Sequence, residues 1–129
     1  MTNPYLKSQV MTASPGQLLL MLYDGALRFN NQAIHCYGQQ RDREASHAIE
    51  RTLKIVWELH GMLNPAHAPD LCARLEQLYV FVEEQLLKAL AERNPAPLQD
   101  AGQILDDLRG AWREAVNGGA DKADMRRVG

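Results

Sequence analysis

The sequence predicts an all-α protein, an antiparallel up-down-up-down four-helix bundle with an N-terminal arm and a disordered C-terminal tail. Four segments carry apolar side chains at spacings of three and four residues, the period of a helix that buries one face. The connections between these segments are short and contain proline, glycine and asparagine. No segment alternates apolar and polar residues as a half-buried β-strand does. Helices joined by short connections pack as antiparallel neighbours, which predicts the bundle topology.

The chain divides into an arm over residues 1–13, a bundle domain over residues 14–116 and a tail over residues 117–129. The tail consists of small and charged residues with almost nothing to bury, so we expect it to be disordered. The arm carries one charge, at Lys7, and we expect it to be ordered only where it packs on the bundle. Its larger apolar residues are Tyr5, Leu6, Val10 and Met11.

The first helix has the clearest start and the largest apolar surface. Ser14 can accept a hydrogen bond from the first turn, Pro15 suits the first helical position, and Gln17 completes a capping box. Residues 18–23 are apolar without interruption, and at about 100° per residue that run covers the whole circumference of a helix. One packing face cannot bury it, so this helix should be central.

Three further helices follow. The second is predicted between Gly38 and the break at residues 64–69, and the third runs from a cap at Asp70 to about Arg93. In the third helix, residues 78–82 are again apolar on all sides. The fourth helix follows the last proline pair. If the first and third helices run parallel, their wide apolar segments lie toward the same end of the bundle.

Composition excludes several classes of function. The net charge is −2, with acidic and basic residues mixed along the chain, so we expect no nucleic-acid partner and no membrane insertion. The apolar run in the first helix is too short for a membrane span and has no positive flank of a signal peptide. Cys36 and Cys72 are too few for a disulfide framework, so reduced thiols and a cytoplasmic location are expected.

The sequence offers little for catalysis. A two-metal carboxylate bundle needs two Glu-x-x-His motifs and two further glutamates, and only Glu44-x-x-His47 fits that spacing. A mononuclear site using His35 or Cys36 with Glu44 and His47 leaves a metal-dependent bundle enzyme as an alternative. Neither a phosphate-binding loop nor a nucleophile motif is present. We therefore expect a protein that is not an enzyme and has no catalytic residues, metal or cofactor.

The wide apolar segments of the first and third helices leave apolar surface that the bundle core cannot bury, so another segment must pack on it. The arm could pack on it permanently, or the surface could form a groove that receives apolar segments of another protein. The second interpretation gives a set of candidate partner-binding residues on the arm and on the wide parts of the first and third helices. These residues are Tyr5, Leu6, Val10, Met11, Leu20, Tyr23, Leu78, Tyr79, Val80, Phe81 and Val82.

Over residues 3–116 the chain resembles the flagellar export chaperone family of the FliS type. The N-terminal resemblance comprises Asn3-Pro4-Tyr5, Val10-x-Thr12-Ala13-Ser14-Pro15-Gly16, Leu20-Met21-Leu22-Tyr23-Asp24-Gly25-Ala26 and Arg28-Phe29. Later blocks are Glu58-Leu59, Leu63-Asn64, Leu78-Tyr79, Leu86 and Leu105-x-x-Leu108-Arg109-x-Ala111-Trp112. The chain departs from the family at Asn30 and Val80, where an apolar residue and an acidic residue are common.

The resemblance implies a cytoplasmic chaperone that binds the disordered C-terminal segment of flagellin, prevents its premature polymerisation and presents it to components of the flagellar export gate. It also implies that the arm lies near the cargo grooves and can occupy part of them. The cargo-free chain could form a homodimer. A diverged family member acting as an adaptor or regulator of flagellar assembly remains the other alternative, because its groove residues are unusual.

Overall fold

Four helices account for most of the chain that the structure describes. The computed structural model describes the backbone of residues 14–128 and the side chains of residues 14–118. The helices are α1 (Pro15–Gly38), α2 (Asp42–Gly61), α3 (Pro69–Glu92) and α4 (Ala96–Val128). Residues 14–128 contain no β-strand. The predicted all-α class is confirmed. None of these helices, over the residues described, combines the length and apolar character that crossing a membrane requires.

A hydrogen-bonded cap begins α1, and a proline begins α3. The backbone N–H of Gln17 donates to the Ser14 hydroxyl at 3.2 Å, and the Ser14 N–H donates to the Gln17 side chain at 3.1 Å, which is the predicted capping box. The prediction of an Asp70 cap on α3 is wrong. That helix begins at Pro69, with Ala68 as an N-cap that makes no side-chain bond, and Asp70 lies in the first turn. The fixed φ of proline favours the first helical position.

Contacts between the helices define the topology. The four helices form a ring in which α1 packs on α2 and α4, and α3 packs on the same two helices. Two hydrogen bonds cross the centre of this ring: the Tyr23 and Tyr79 hydroxyls lie 2.5 Å apart, and the Tyr37 hydroxyl donates to the Ala89 carbonyl at 3.2 Å. The partners on α3 advance with those on α1, so these two diagonal helices run parallel. The up-down-up-down arrangement is confirmed.

The core occupies the space inside the ring. All four helices contribute fully buried side chains, among them Tyr23, Ile49, Leu86 and Leu105. Gly25 allows α2 to approach α1, because a Cβ at this position would lie 3.2 Å from the Ile55 Cδ1. This close approach agrees with the packing role expected for a glycine inside a helix, which otherwise costs about 1 kcal/mol relative to alanine.

The backbone of α4 continues through residues 117–128, beyond the predicted bundle domain. The disordered tail over residues 117–129 stays a prediction. Side chains beyond residue 118 lie outside the described range, and so do residues 1–13. The domain limits at residues 13 and 116 stay predictions.

Candidate functional site

An apolar groove of about 490 Å³ opens at the end of the bundle where α1 and α3 begin. We call it the end groove. Each helix contributes to its walls: Leu19 from α1, Leu63 just beyond α2, Leu71 and Leu75 from α3, and Trp112 from α4. Antiparallel connectivity brings these helix ends together although they are far apart in sequence. The site therefore depends on topology more than on any single motif.

The connection between α2 and α3 forms one margin of the end groove. The Asn64 side chain accepts a hydrogen bond from the Ala66 N–H at 3.1 Å, and the Asn64 carbonyl accepts one from the His67 N–H at 3.1 Å. These bonds hold the chain in a turn as it enters α3. Asn64, His67 and Ala68 all line the groove as a result.

The groove presents apolar surface to solvent. Leu71 is 49% exposed and Met62 is 47% exposed, whereas Leu19, Leu63 and Trp112 are partly buried against the core. None of the described residues that line the groove is lysine, arginine, aspartate or glutamate. An apolar concavity with few polar groups is suited to apolar side chains of a partner.

One of the residues that line the end groove, Tyr79, is hydrogen-bonded to a second buried tyrosine. Tyr79 lines the groove, is 1% exposed, and shares a hydrogen bond with Tyr23, which is fully buried. Burial raises the pKa of both tyrosines, and the hydrogen bond shared with Tyr23 raises that of Tyr79 further. Both hydroxyls therefore keep their protons near neutral pH.

A histidine joins α2 to α3 near this end. The His60 Nδ1 lies 3.0 Å from the Glu83 Oε1, and its Nε2 lies 3.6 Å from the Glu76 Oε1. The hydrogen bond with Glu83 raises the pKa of His60, burial lowers it, and the two carboxylates raise it further by charge, with a net upward shift. When the ring is protonated, it pairs with both carboxylates of α3 and so helps to hold the two helices together.

The candidate partner-binding residues are distributed over several parts of the structure. Tyr5, Leu6, Val10 and Met11 lie outside the described residues. Tyr23, Tyr79 and Val82 are fully buried, and Leu20 and Leu78 are half-buried. Val80 and Phe81 are more than a third exposed and line a separate shallow depression on α3. Of the seven on the described helices, Tyr79 lines the end groove, and the partner-binding role of the whole set stays a prediction.

Sequence reasoning missed several groove residues, including Leu59, Met62, Leu63, Leu71 and Trp112. Leu59, Leu71 and Trp112 recur at helical spacing with other apolar residues, a pattern that favours a core position for them. The available signal was their position at helix ends that the bundle topology brings together. Placing α2 and α4 along the bundle axis, in the same way as the first and third helices, brings these residues to the same end of the bundle.

The residues of the alternative metal site are engaged elsewhere. The Glu44 carboxylate lies 3.6 Å from Arg41, and the His47 ring lies 3.8 Å from Glu50. Within the described part of the chain, no three histidine, cysteine, aspartate or glutamate side chains are grouped so that they could hold a metal ion. Cys36 and Cys72 are both free thiols. The structure therefore adds no support to the metal-dependent enzyme.

Comparison with known proteins identifies relatives over most of the chain. The family described as "Flagellar protein FliS" matches residues 1–119. The "Flagellar secretion chaperone FliS" of Bacillus subtilis (strain 168) is 29% identical over 117 residues, covering 88% of this chain and 86% of the relative. The protein of the same name from Vibrio cholerae is 28% identical over 105 residues, covering 81% of this chain and 77% of the relative.

A solved structure has the same fold. The protein described as "Crystal structure of flagellar chaperone from bacteria" superposes with a TM-score of 0.76 at 22% sequence identity, covering 88% of this chain and 93% of that chain. The similarity at this identity supports the architecture, and the family match extends over nearly all of the sequence. The chain therefore belongs to the FliS family of flagellar proteins.

Proposed function

We propose that this protein is a cytoplasmic flagellar export chaperone that binds the disordered C-terminal segment of flagellin. Family membership and relatives named flagellar secretion chaperones support the general role. The single observation that supports binding most strongly is the end groove, an apolar concavity lined by all four helices and free of carboxylate, ammonium and guanidinium groups among the described residues. A cargo segment that buries apolar side chains there is kept from polymerising until it reaches the export apparatus.

The energetics suit a disordered cargo. Rim residues such as Leu71 and Met62 are about half exposed in the structure, so binding removes their apolar surface from water. A disordered segment must be ordered as it binds, and part of the interaction free energy is spent on that ordering. The affinity is then built from many modest apolar contacts and remains weak enough for release.

The decisive experiment is calorimetric titration of the purified chain with the C-terminal peptide of the flagellin from the same organism. We expect saturable binding in the micromolar range, with a negative heat-capacity change because apolar surface is buried. Absence of binding at a high micromolar concentration of the peptide would contradict the proposal. Pull-down from flagellated cells would then test the adaptor or regulator role instead.

Two leucines of α3 provide a matched test of where the cargo binds. Leu71 and Leu87 are both 49% exposed, but Leu71 lines the end groove and Leu87 does not. Leu71→Lys should weaken binding by at least about tenfold, because a charge would have to be buried against apolar cargo. Leu87→Lys should leave the affinity within about twofold of wild type. Equal effects would place the cargo on another surface.

The arm is proposed as a competitor for the same groove. It is joined to Ser14, and the next residues, Pro15 and Gly16, line the groove. A tethered segment competes at an effective concentration on the order of millimolar. Removing residues 1–11 should therefore raise the cargo affinity severalfold. An unchanged affinity would indicate that the arm makes only permanent packing contacts.

A further inference from the structure

On the exposed face of α1 and α2, two arginines contact one aromatic ring. The Arg28 guanidinium lies over the Phe29 ring at 5.2 Å from its centroid, and the Arg51 guanidinium, from α2, lies at 5.6 Å from the same centroid. Phe29 is half-buried, and both arginines are exposed. We call Arg28, Phe29 and Arg51 the arginine cluster. One ring thus restrains two cationic side chains, one from each helix.

The hydrogen-bonding capacity of the two guanidiniums is unused within the described part of the chain. A cation–π contact consumes none of the five N–H donors of arginine, and these donors match the two oxygens of a carboxylate. Neither Arg28 nor Arg51 makes a side-chain hydrogen bond or an ion pair with another described residue. Both are therefore available to an acceptor from outside.

The neighbouring residues leave the cluster positively charged. The acidic residue at helical spacing from Arg28 is Asp24, and it pairs with Arg109 on α4. None of the residues three or four positions from Arg51 is acidic. They are His47, Ala48, Lys54 and Ile55. The cluster is thus a local excess of positive charge on a chain whose net charge is −2.

The size of the cluster restricts the partner. Nucleic acids and anionic membranes are bound by larger sets of basic residues, whereas this cluster has two guanidiniums, with Lys54 one turn away on α2. Two carboxylates on consecutive turns of a helix have Cβ atoms about 5–6 Å apart, and each can accept two hydrogen bonds from one guanidinium. The chemistry of the cluster therefore suits an acidic helix of another protein.

The arginine cluster is separate from the end groove. Pro15 lines the groove, and Phe29 lies about 20 Å farther along α1 at about 1.5 Å per residue. None of the three cluster residues lines the groove. The described lining of the groove has no acidic or basic side chain, whereas the cluster offers charge. Two different segments can therefore occupy the two surfaces at the same time.

We propose that the arginine cluster is a docking site for an acidic helical segment of a second protein partner, distinct from the flagellin cargo. The partner supplies two carboxylates one helical turn apart, and the two guanidiniums receive them. Because the Phe29 ring already restrains both arginines, less side-chain freedom is lost on binding. This docking site does not depend on what occupies the end groove.

NMR titration of the full-length chain with a defined peptide tests the site. The probe is an alanine-rich helical peptide with two glutamates at positions i and i+4, and the matched peptide has glutamine at both positions. The Nε–Hε signals of Arg28 and Arg51 should shift saturably with the glutamate peptide. Arg43 is the internal control, because it is exposed on α2 and contacts no aromatic ring among the described residues. Equal shifts at Arg43, or with the glutamine peptide, would overturn the inference.

Three variants separate the site from net charge. Arg51→Gln should weaken binding of the glutamate peptide at least about fivefold, because one bidentate contact is lost. Arg43→Gln removes the same charge and should leave the affinity within about twofold of wild type. Phe29→Leu keeps both arginines and should weaken binding about two- to threefold, because the ring no longer restrains them. Equal losses in Arg51→Gln and Arg43→Gln, or an unchanged affinity in Phe29→Leu, would overturn the inference.

Titration with the C-terminal flagellin peptide separates this inference from the proposed function. Its affinity for Arg51→Gln should stay within about twofold of its affinity for wild type, because the cluster lies away from the end groove. A larger loss would place flagellin on the cluster and overturn the inference of a second partner. Absence of flagellin binding by the wild-type chain contradicts the proposed function alone.

Discussion

The two ends of the bundle are packed in different ways. At the end where α1 and α3 finish, which we call the closed end, small and large inward side chains alike are buried: Ala33, Ala89 and Leu98 are each 0% exposed, and Tyr37 is 8% exposed. At the groove end, Leu19, Leu63 and Trp112 are only partly buried.

The comparison separates stability from binding. Complete burial at the closed end supplies packing that does not depend on a partner. The groove end keeps apolar surface that the four helices cannot bury among themselves, and a ligand can still gain from it. The same apolar periodicity therefore has different consequences at the two ends, because the helices bury their inward side chains at one end and leave apolar surface open at the other.

The strongest test of this contrast substitutes two leucines of α3. Leu86 is fully buried, and Leu86→Ala should lower the free energy of unfolding by about 2–5 kcal/mol through lost burial and a residual cavity. Leu71, at the groove, is 49% exposed, and Leu71→Ala should cost less than about 1 kcal/mol. Urea denaturation measures both changes. Losses of equal size would remove the distinction between the two regions.

Alanine substitution at two glycines of α4 should change the free energy of unfolding by smaller amounts. The two changes should have opposite signs. Gly110 has no neighbour within 4 Å of an added Cβ, so Gly110→Ala should raise the free energy of unfolding by about 0.5–1 kcal/mol. A Cβ at Gly102 would lie 2.9 Å from the Asn30 Nδ2, which donates to the Leu98 carbonyl at 2.9 Å. Gly102→Ala should therefore lower the free energy of unfolding by about 1 kcal/mol.

Denaturant unfolding of the two glycine variants is the measurement. Asn30 has little freedom to adjust, because its side chain is fully buried and its Nδ2 is bonded to the Leu98 carbonyl. A stabilised Gly102→Ala variant would mean that the contact between α1 and α4 is looser than the structure indicates.

The smallest expected effect is the pH dependence of the stability that His60 contributes near the groove end. The pKa of His60 is raised above its ordinary value of 6.5, chiefly by the hydrogen bond to Glu83. Its contribution to stability is therefore fully present below that ordinary value and is lost as the pH rises through the raised pKa. His60→Gln should lower the free energy of unfolding by less than about 1 kcal/mol at about pH 5.5, since the partly exposed pair is screened by solvent.

The measurement is the difference in unfolding free energy between wild type and His60→Gln from about pH 5.5 to about pH 8.5. The difference should decrease across this range. His47→Gln is the control on the same helix, because the His47 side chain is 64% exposed. A difference for His60→Gln that grows with pH would contradict the assigned ion pairs.

Local features of the sequence predicted much of the fold. The capping box at Ser14 and Gln17 depends on residues three apart and was predicted correctly. Asp24 shows where local reasoning ends. Its i, i+4 spacing favours a pair with Arg28 within α1, but Asp24 pairs with Arg109 on α4, and the Arg28 guanidinium lies over the Phe29 ring at 5.2 Å. The competing partner, Arg109, lies on a neighbouring helix, and residue spacing within one helix cannot reveal it.

The sequence by itself determined the four helices, their approximate limits, their antiparallel order and the presence of more apolar surface than one core needs. These properties follow from short-range periodicity, capping and connection length. The tertiary structure decided where the open surface lies. Val80 and Phe81 face a shallow depression on α3, while Leu63, Leu71 and Trp112 meet at the end groove. The bundle topology sets that outcome, because it decides which helix ends lie next to one another.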